Sequence, residues 1–449
     1  MSKNYLLFFL GYFIRILIKE NKSMKCEICK SEWNNLSQTK LDKCPFCGAS
    51  LEDASNAMTQ EEYYIDEYGA RYSSDRKQLI NAKDVNVEEY SIKEGTEIIC
   101  DKAFDCQSYI VHDLLWGDEL KTPNCINIKR INIPNSVISI GNLAFRLTRI
   151  ETIELPDSIR EIGQEAFREA AIKYLTFPRG VTHINNYTFV DSAIRVIHFH
   201  SSLLIGIGDY AFENCENLES IELPDTVKTI GQNVFANCHN LKSIYFPDSV
   251  LSIGVRAFYG CEKMHTAILS RNIKVIEEEV FSYSGLKNVI IPEGVNKICE
   301  KAFYNCMEIE GIVLPNSITD IECAAFMNCH NLVYVKLPSN LSSIKAKTFA
   351  MCMSLRKILF PDNLVNIGEW ALTSCRFSEL EIPNSVKSIG DEAFACSRLK
   401  RIKIPNGLKY VGQNVFSDCF DLESICISIK YKDELRKLLF SYDKMIIYV

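Results

Sequence analysis

The chain has 449 residues, 24% of them charged, and a formal net charge of −7. That is enough chain for a large core. The mild acidity argues against a nucleic-acid surface, which carries a clustered basic excess.

Residues 5–18 are mostly apolar, reading Tyr-Leu-Leu-Phe-Phe-Leu-Gly-Tyr-Phe-Ile-Arg-Ile-Leu-Ile. The run is shorter than the ~20 residues that span a bilayer, and Arg15 interrupts it. It resembles a signal-peptide core behind Lys3, but no small-x-small cleavage site comes after it. Three readings of residues 1–23 stand side by side: an uncleaved anchor, a secretory signal, or sequence upstream of a true start at Met24. Any membrane contact or cell-surface location rests on this segment.

Residues 24–51 hold Cys26-x-x-Cys29, then fourteen residues, then Cys44-Pro-Phe-Cys47-Gly. Zinc takes four thiolates in a tetrahedron, and two Cys-x-x-Cys knuckles each supply two from tight turns. The pattern resembles a zinc ribbon, with a structural zinc held by Cys26, Cys29, Cys44 and Cys47. The alternative is a chance pair of Cys-x-x-Cys turns; an exchanging dithiol needs one motif, not two. Four protein ligands leave no open position for catalysis. Glu27, Glu32 and Asp42 dilute the local basic charge, which weakens a nucleic-acid role for the module.

Residues 52–90 begin as a polar linker. Two apolar runs around Ser73-Ser74-Asp75 then predict a hairpin that caps the exposed end of the next segment. From residue 91 to 428 one motif recurs. Prolines stand at 134, 156, 178, 224, 247, 292, 315, 338, 361, 383 and 405, with His200 and Ser270 in the two places that lack one, a period of 22 to 24 residues. Six residues after the proline comes an isoleucine, such as Ile230 or Ile253, with Val411 after Pro405. Eleven after it comes a phenylalanine, such as Phe235 or Phe258, with Leu372 once in its place. A fixed period in this range is the mark of a solenoid.

Each part of the repeat has a physical reason. Alternation in Ile221-Glu222-Leu223 makes a strand with Glu222 outward. Proline ends the strand, having no N–H for the ladder. The Val-x-x-Ile-Gly segment makes a second extended pass, and its glycine is expected where the backbone turns sharply. The Ala-Phe pair then places an aromatic plug that one coil cannot bury alone, so coils must stack. The first repeat is residues 90–104, with Lys93 in the proline place. The next plug, Phe145, comes 41 residues after Phe104, which marks an insertion near residues 107–125 that contains Trp116.

These residues resemble the leucine-rich repeats, in particular the BspA-like subclass common in bacterial proteins. The resemblance covers roughly residues 91–428. It implies a β-rich solenoid of about 14 coils, with a parallel strand per coil on an inner face. It also implies a protein-binding role, often at cell surfaces. Glu277, Cys299, Glu322 and Lys345 depart from the pattern by replacing the glycine. Residues 429–449 read as a short amphipathic helix and then a strand, a cap for the last coil.

Eight of the nineteen cysteines stand three residues after the plug: Cys215, Cys238, Cys261, Cys306, Cys329, Cys352, Cys375 and Cys419. This is a small buried position repeated by the coil. So many unpaired thiols suit a reducing compartment, and the expected location is the cytoplasm. No nucleophile motif or phosphate loop appears, and His198 with His200 is too little for a metal site. The expectation is a non-enzymatic scaffold with no small-molecule substrate. The outward strand position is polar in the end coils and mostly apolar in the middle. Tyr245, Ile268, Ile290, Val313 and Leu359, with Tyr334 beside them, are predicted to form an apolar row on the inner face for a protein partner. The row is expected to be continuous except at Lys336. A surface adhesin anchored by residues 5–18 and a nucleic-acid factor led by the ribbon are the alternatives.

Overall fold

Coil succeeds coil through a computed structural model that describes residues 63–107, 109–113, 117–121, 123–199 and 203–449, together with two short strands at Met24–Lys25 and Glu32–Trp33. Cys26, Cys29, Cys44 and Cys47, the apolar segment 5–18, Trp116 and His200 lie outside the described residues.

The chain winds through about 15 turns. Ser243–Tyr245 is typical: Ile244 is buried between exposed Ser243 and Tyr245, as alternation requires. It pairs in parallel with Thr266–Ile268, and that strand with Asn288–Ile290, residue for residue at one coil's offset. Pro247 then starts a turn, its carbonyl accepting the Val250 N–H at 3.0 Å. The second pass is a strand too. Thr229–Ile230 pairs in parallel with Ser252–Ile253, so each regular coil contributes to two ladders.

Neither ladder is unbroken. The first ladder lapses between Ser220–Ile221 and Ser243–Tyr245, between Asn288–Ile290 and Gly311–Val313, and between Lys357–Leu359 and Glu379–Glu381. The second lapses at other coil boundaries, such as Ser252–Ile253 to Val275–Ile276 and Asp320–Ile321 to Ser343–Ile344. Among the described coils no boundary loses both, so some strand pairing always crosses it.

A third set of bonds runs through the plug turns. Residues two before and two after the phenylalanine sit in left-handed backbone, as at Leu143 (φ 56°) and Leu147 (φ 59°) or Glu165 (φ 54°) and Glu169 (φ 55°). That conformation costs a non-glycine residue about 1–2 kcal/mol. Directional bonding offsets the cost: the N–H groups of Leu143, Phe145 and Leu147 donate to the carbonyls of Gln164, Ala166 and Arg168 at 2.8–2.9 Å. The next coil repeats this with Phe167 to Thr188 at 2.9 Å. Every such N–H points toward the C-terminal end.

The plugs themselves stack. From Phe104 through Phe349 successive rings lie 5.1–5.7 Å apart and within 24° of parallel. Leu372 interrupts the column, which resumes with Phe394 and Phe416 at 5.8 Å.

The eight ladder cysteines are buried. Each thiol donates to the carbonyl of the plug one coil earlier, as Cys238 does to Phe212 at 3.2 Å and Cys261 to Phe235 at 3.1 Å. Burial pushes the Cys215 and Cys306 thiols up to about 12, so they remain protonated and inert.

The glycines after the second strand do not serve the purpose expected of them. Their φ angles are not left-handed; they are there for close approach. A Cβ on Gly231 would fall 2.5 Å from Asp209 Oδ1 and 2.7 Å from the Asp209 nitrogen. Asp209 Oδ1 occupies that space because it accepts the Gln232 N–H at 2.9 Å. The same pairing joins Asp101 to Gly141 and Asp391 to Gly412. One coil before Glu277, Cys299, Glu322 and Lys345 the corresponding residues are Val255, Glu278, Glu300 and Cys323. None is Asn or Asp. Gly254, Gly368 and Gly390 also follow other residues, Gln232, Ala346 and Glu369, and there a Cβ would meet backbone instead, 2.5 Å from the Gln232 nitrogen at Gly254. Lys345 bridges Asp320 and Glu322 at 2.7 and 2.9 Å, and Lys297 reaches Glu322 at 2.9 Å.

Both ends are covered. Tyr64–Ile65, Arg71–Tyr72 and Gln78–Asn81 form an antiparallel meander whose last strand pairs in parallel with Ile98–Ile99. Behind it the Tyr90 hydroxyl donates to buried Asp66 at 2.6 Å, so the Tyr72 hydroxyl, 2.7 Å away, donates to Tyr90. At the other end the helix Lys432–Leu438 buries Leu435, and Ile446–Tyr448 pairs in parallel with Ser424–Ile427. The insertion forms a hairpin of Tyr109–Asp113 with Gly117–Lys121.

Candidate protein-binding face

The first strands place two outward side chains per coil. The column just before the proline carries the sequence-predicted residues. Tyr245 and Ile290 are each 65% exposed and Val313 is 59% exposed, whereas Ile244 beside Tyr245 and Ile312 beside Val313 are buried and Val289 beside Ile290 is half-buried. Leu359 and Ile268 are also exposed, and Tyr334 is half-buried. The inward–outward alternation read from the sequence is the one present.

Continuity differs from expectation. Tyr245, Ile268 and Ile290 are register partners on three bonded strands. Val313, Lys336 and Leu359 are register partners on the next three. Strand pairing stops between Ile290 and Val313, so the row is two three-strand segments, the second interrupted by Lys336. Tyr334 pairs with Gly311 and Lys357, which puts it in the neighbouring outward column. There the Lys357 ammonium lies 5.8 Å from its ring centroid, a cation–π approach. The rest of that column is Ser243, Thr266, Asn288 and Gly311, polar or small. Glu222 is exposed before the row begins, and Glu381 pairs with Lys403 at 2.5 Å beyond its end.

Reading one column alone missed Tyr174. It is 54% exposed, stands two positions before outward Thr176, and continues the neighbouring column in an earlier coil. The period-two pattern would have flagged it had both outward positions been tabulated. Exposed apolar residues on the second-strand side, such as Ile138, Leu251 and Val365, alternate with Arg160, Lys228 and Lys274 and form no patch. A depression of 780 Å³ lies beside the plug turns, with Glu169, Asp191, Glu216 and His239 on its walls. It is acidic and open, and its lining pairs no nucleophile with a base.

Among the described residues no three His, Cys, Asp or Glu side chains are grouped to hold a metal ion. The four zinc-ribbon cysteines lie outside them. The strands Met24–Lys25 and Glu32–Trp33 pair antiparallel on either side of Cys26 and Cys29 in the sequence. Among the described residues no helix is long and apolar enough to cross a membrane.

Comparison with known proteins agrees with this architecture. A family model described as a BspA type leucine rich repeat region, in 6 copies, matches residues 123–206, 205–333 and 319–446. A leucine-rich repeat protein from Bacteroides ovatus is 26% identical with a TM-score of 0.65, covering 86% of this chain and 90% of its own. A leucine rich cell surface protein from Faecalibacterium prausnitzii is 21% identical with a TM-score of 0.41, covering 83% and 97%. The pneumococcal vaccine antigen PcpA is 18% identical with a TM-score of 0.41, covering 87% and 99%. No curated protein matches the chain.

Proposed function

The chain belongs to the BspA-type leucine-rich repeat family, and from that premise we propose that it is a non-catalytic scaffold that binds a protein partner on the outward face of its first ladder. The observation that carries this reading is the apolar column Tyr245, Ile268, Ile290 and Val313, exposed to water on strands whose other faces are core. Side chains in register on adjacent strands touch, so Tyr245, Ile268 and Ile290 present a contiguous apolar strip, while Lys336 stands between Val313 and Leu359 in the second segment. With Lys357 on one flank, Lys336 within the second segment, and Glu222 and Glu381 at the two ends, the face has a mainly apolar centre and a charged rim, the anatomy of an interface. A partner that fits offers an apolar ridge with acidic residues toward Lys336 and Lys357.

The double substitution Ile290→Glu with Val313→Glu tests it. Both residues face out, so thermal stability should barely change while partner capture collapses. Leu251→Glu, on the second-strand side, should leave capture intact. Unfolding of the double variant, or capture unchanged in it, overturns the reading.

We assign residues 24–51 a structural zinc on Cys26, Cys29, Cys44 and Cys47. The spacing supports it, and a closed four-thiolate site would order the module without offering a catalytic position. Metal analysis of freshly purified, unchelated protein should return one zinc per chain; none refutes it. A cytoplasmic location is the reading that the free, buried ladder thiols support best.

A further inference from the structure

Among the described residues two buried cysteines stand outside the ladder. Cys106 lies two residues after its plug, Phe104, rather than three, and Cys125 belongs to the short 3-10 turn Asn124–Asn127. They bracket the inserted hairpin of Tyr109–Asp113 and Gly117–Lys121. The fold brings them together. Their sulfurs are 2.8 Å apart, closer than two sulfur atoms settle by packing, and both thiols also lie against the Phe104 carbonyl, at 3.3 and 3.5 Å. Ladder cysteines behave differently. Each ladder thiol donates to a plug carbonyl one coil away, in the manner of Cys329 to Phe303 at 3.2 Å.

Both residues are buried, Cys106 at 3% and Cys125 at 0% exposure. Among the described residues no third metal-ligating group joins them. The Cys106 thiol is held well above its usual range, first by its bond to Cys125 and then by burial. It therefore stays a thiol in this structure.

We propose that Cys106 and Cys125 form a reversible disulfide that staples the inserted hairpin to the first full coil. The oxidant is a low-molecular-weight disulfide. One protein thiolate attacks it, forming a mixed disulfide and releasing one small thiol. The second protein thiolate then displaces the other small thiol and closes the Cys106–Cys125 bond. Two protein thiols are oxidised and one small disulfide is reduced to two thiols, with both protein protons ending on them. In a reducing compartment the pair remains dithiol; a rise in the ambient potential closes it. The bond would fix the insertion's two ends at a coil whose N–H groups at Lys102, Phe104 and Cys106 already donate to the next coil.

The test uses the full chain, fully reduced and then equilibrated under native conditions with graded mixtures of reduced and oxidised glutathione. The mixtures are quenched in acid, alkylated, digested without reductant and read by mass spectrometry. The expected product is a linked peptide pair joining Cys106 to Cys125, appearing while the eight ladder cysteines are still recovered as alkylated thiols. Added reductant should reverse it. In Cys125→Ser the linked pair should vanish and Cys106 should carry glutathione or remain free. Free thiols at both positions across the whole series overturn the proposal. So does linkage of Cys106 or Cys125 to other cysteines in preference to each other. Cleavage within the hairpin gives a second readout independent of any variant: the two fragments of oxidised protein should separate only after reduction.

Discussion

Replacing Phe258 with alanine probes the packing principle of the whole array. The ring is fully buried. It stacks on Phe235 at 5.2 Å and Phe281 at 5.7 Å, and meets Phe246 edge-on at 5.5 Å. Truncating a buried phenylalanine costs about 3–5 kcal/mol, and each lost aromatic pair accounts for roughly 0.5–1.5 of that. The upper half of the range is expected, because hydrogen-bonded turns on both sides keep the neighbouring coils from closing the hole. Phe258→Leu should cost far less, since Leu372 fills the same position in this chain with the turn bond to Ala393 kept at 2.9 Å. Urea denaturation gives the magnitude, and hydrogen exchange gives the place. Coils contact only their neighbours, so exchange should rise in the coils of Phe235, Phe258 and Phe281 before it rises at the ends. A loss below about 1 kcal/mol for the alanine variant, or exchange that rises uniformly, would refute the stacked-plug account.

Gly231→Ala should destabilise by about 1–3 kcal/mol, because its Cβ meets Asp209 Oδ1 and the Asp209 backbone; adding Asp209→Ala should restore part of the loss, and no restoration would rule out the carboxylate as the obstacle. Glu322 is held at about 2, against an ordinary 4.5, by Lys345 first and Lys297 second. Its contribution to stability is therefore present above pH 4.5 and disappears as pH falls toward 2, and Glu322→Gln should flatten the urea midpoint across that window. In native protein the ladder thiols, with Cys215 and Cys306 pushed up to about 12, should resist alkylation that labels exposed Cys396, and all should react once unfolded. Tyr442→Phe removes the acceptor of the Phe416 N–H, 3.2 Å away, and should cost about 1–3 kcal/mol, read as faster exchange in the last coil with the middle coils unchanged.

The repeat made the solenoid legible because its period, its prolines and its plugs all answer to packing. Outward exposure of Tyr245, Ile290 and Val313 was legible for the same reason: a strand buried on one face alternates. The break between Ile290 and Val313 was not, since strand pairing depends on how one coil settles on the next and no residue at the boundary announces it. The left-handed pairs were equally silent. Asn214, Asn233, Asn237, Asn305 and Asn328 suit that conformation, but Leu143, Glu169, Tyr187, Lys347 and Trp370 hold it as well, types with no preference for it, because coil-to-coil bonds impose it. The glycines were visible, but their cause lay elsewhere in the chain. What each Asn or Asp cap dictates is the residue one coil later, a relation between positions about 22 to 40 residues apart rather than a local turn preference.

The directional turn bonds explain why the two ends need chemically different covers. In a parallel β-ladder N–H and carbonyl groups alternate, and either end can be matched by another strand. The plug turns donate N–H groups only toward the C-terminus, so the array leaves bare carbonyls at one end and bare N–H groups at the other, as a helix does. The N-terminal cover meets this with a donor: the Ala82 N–H bonds the Ala103 carbonyl at 2.7 Å. The C-terminal cover meets it with an acceptor, the Tyr442 hydroxyl on the Phe416 N–H, while the Tyr442 ring closes the plug column edge-on at 5.2 Å. Exchanging the two covers would set donor against donor and acceptor against acceptor. Length, by contrast, is unconstrained by either cover, because every interior coil presents the same two surfaces. A binding face built from the outward residues of the middle coils can therefore change its chemistry, as Lys336 does within an apolar row, without disturbing the bonds that hold the ends.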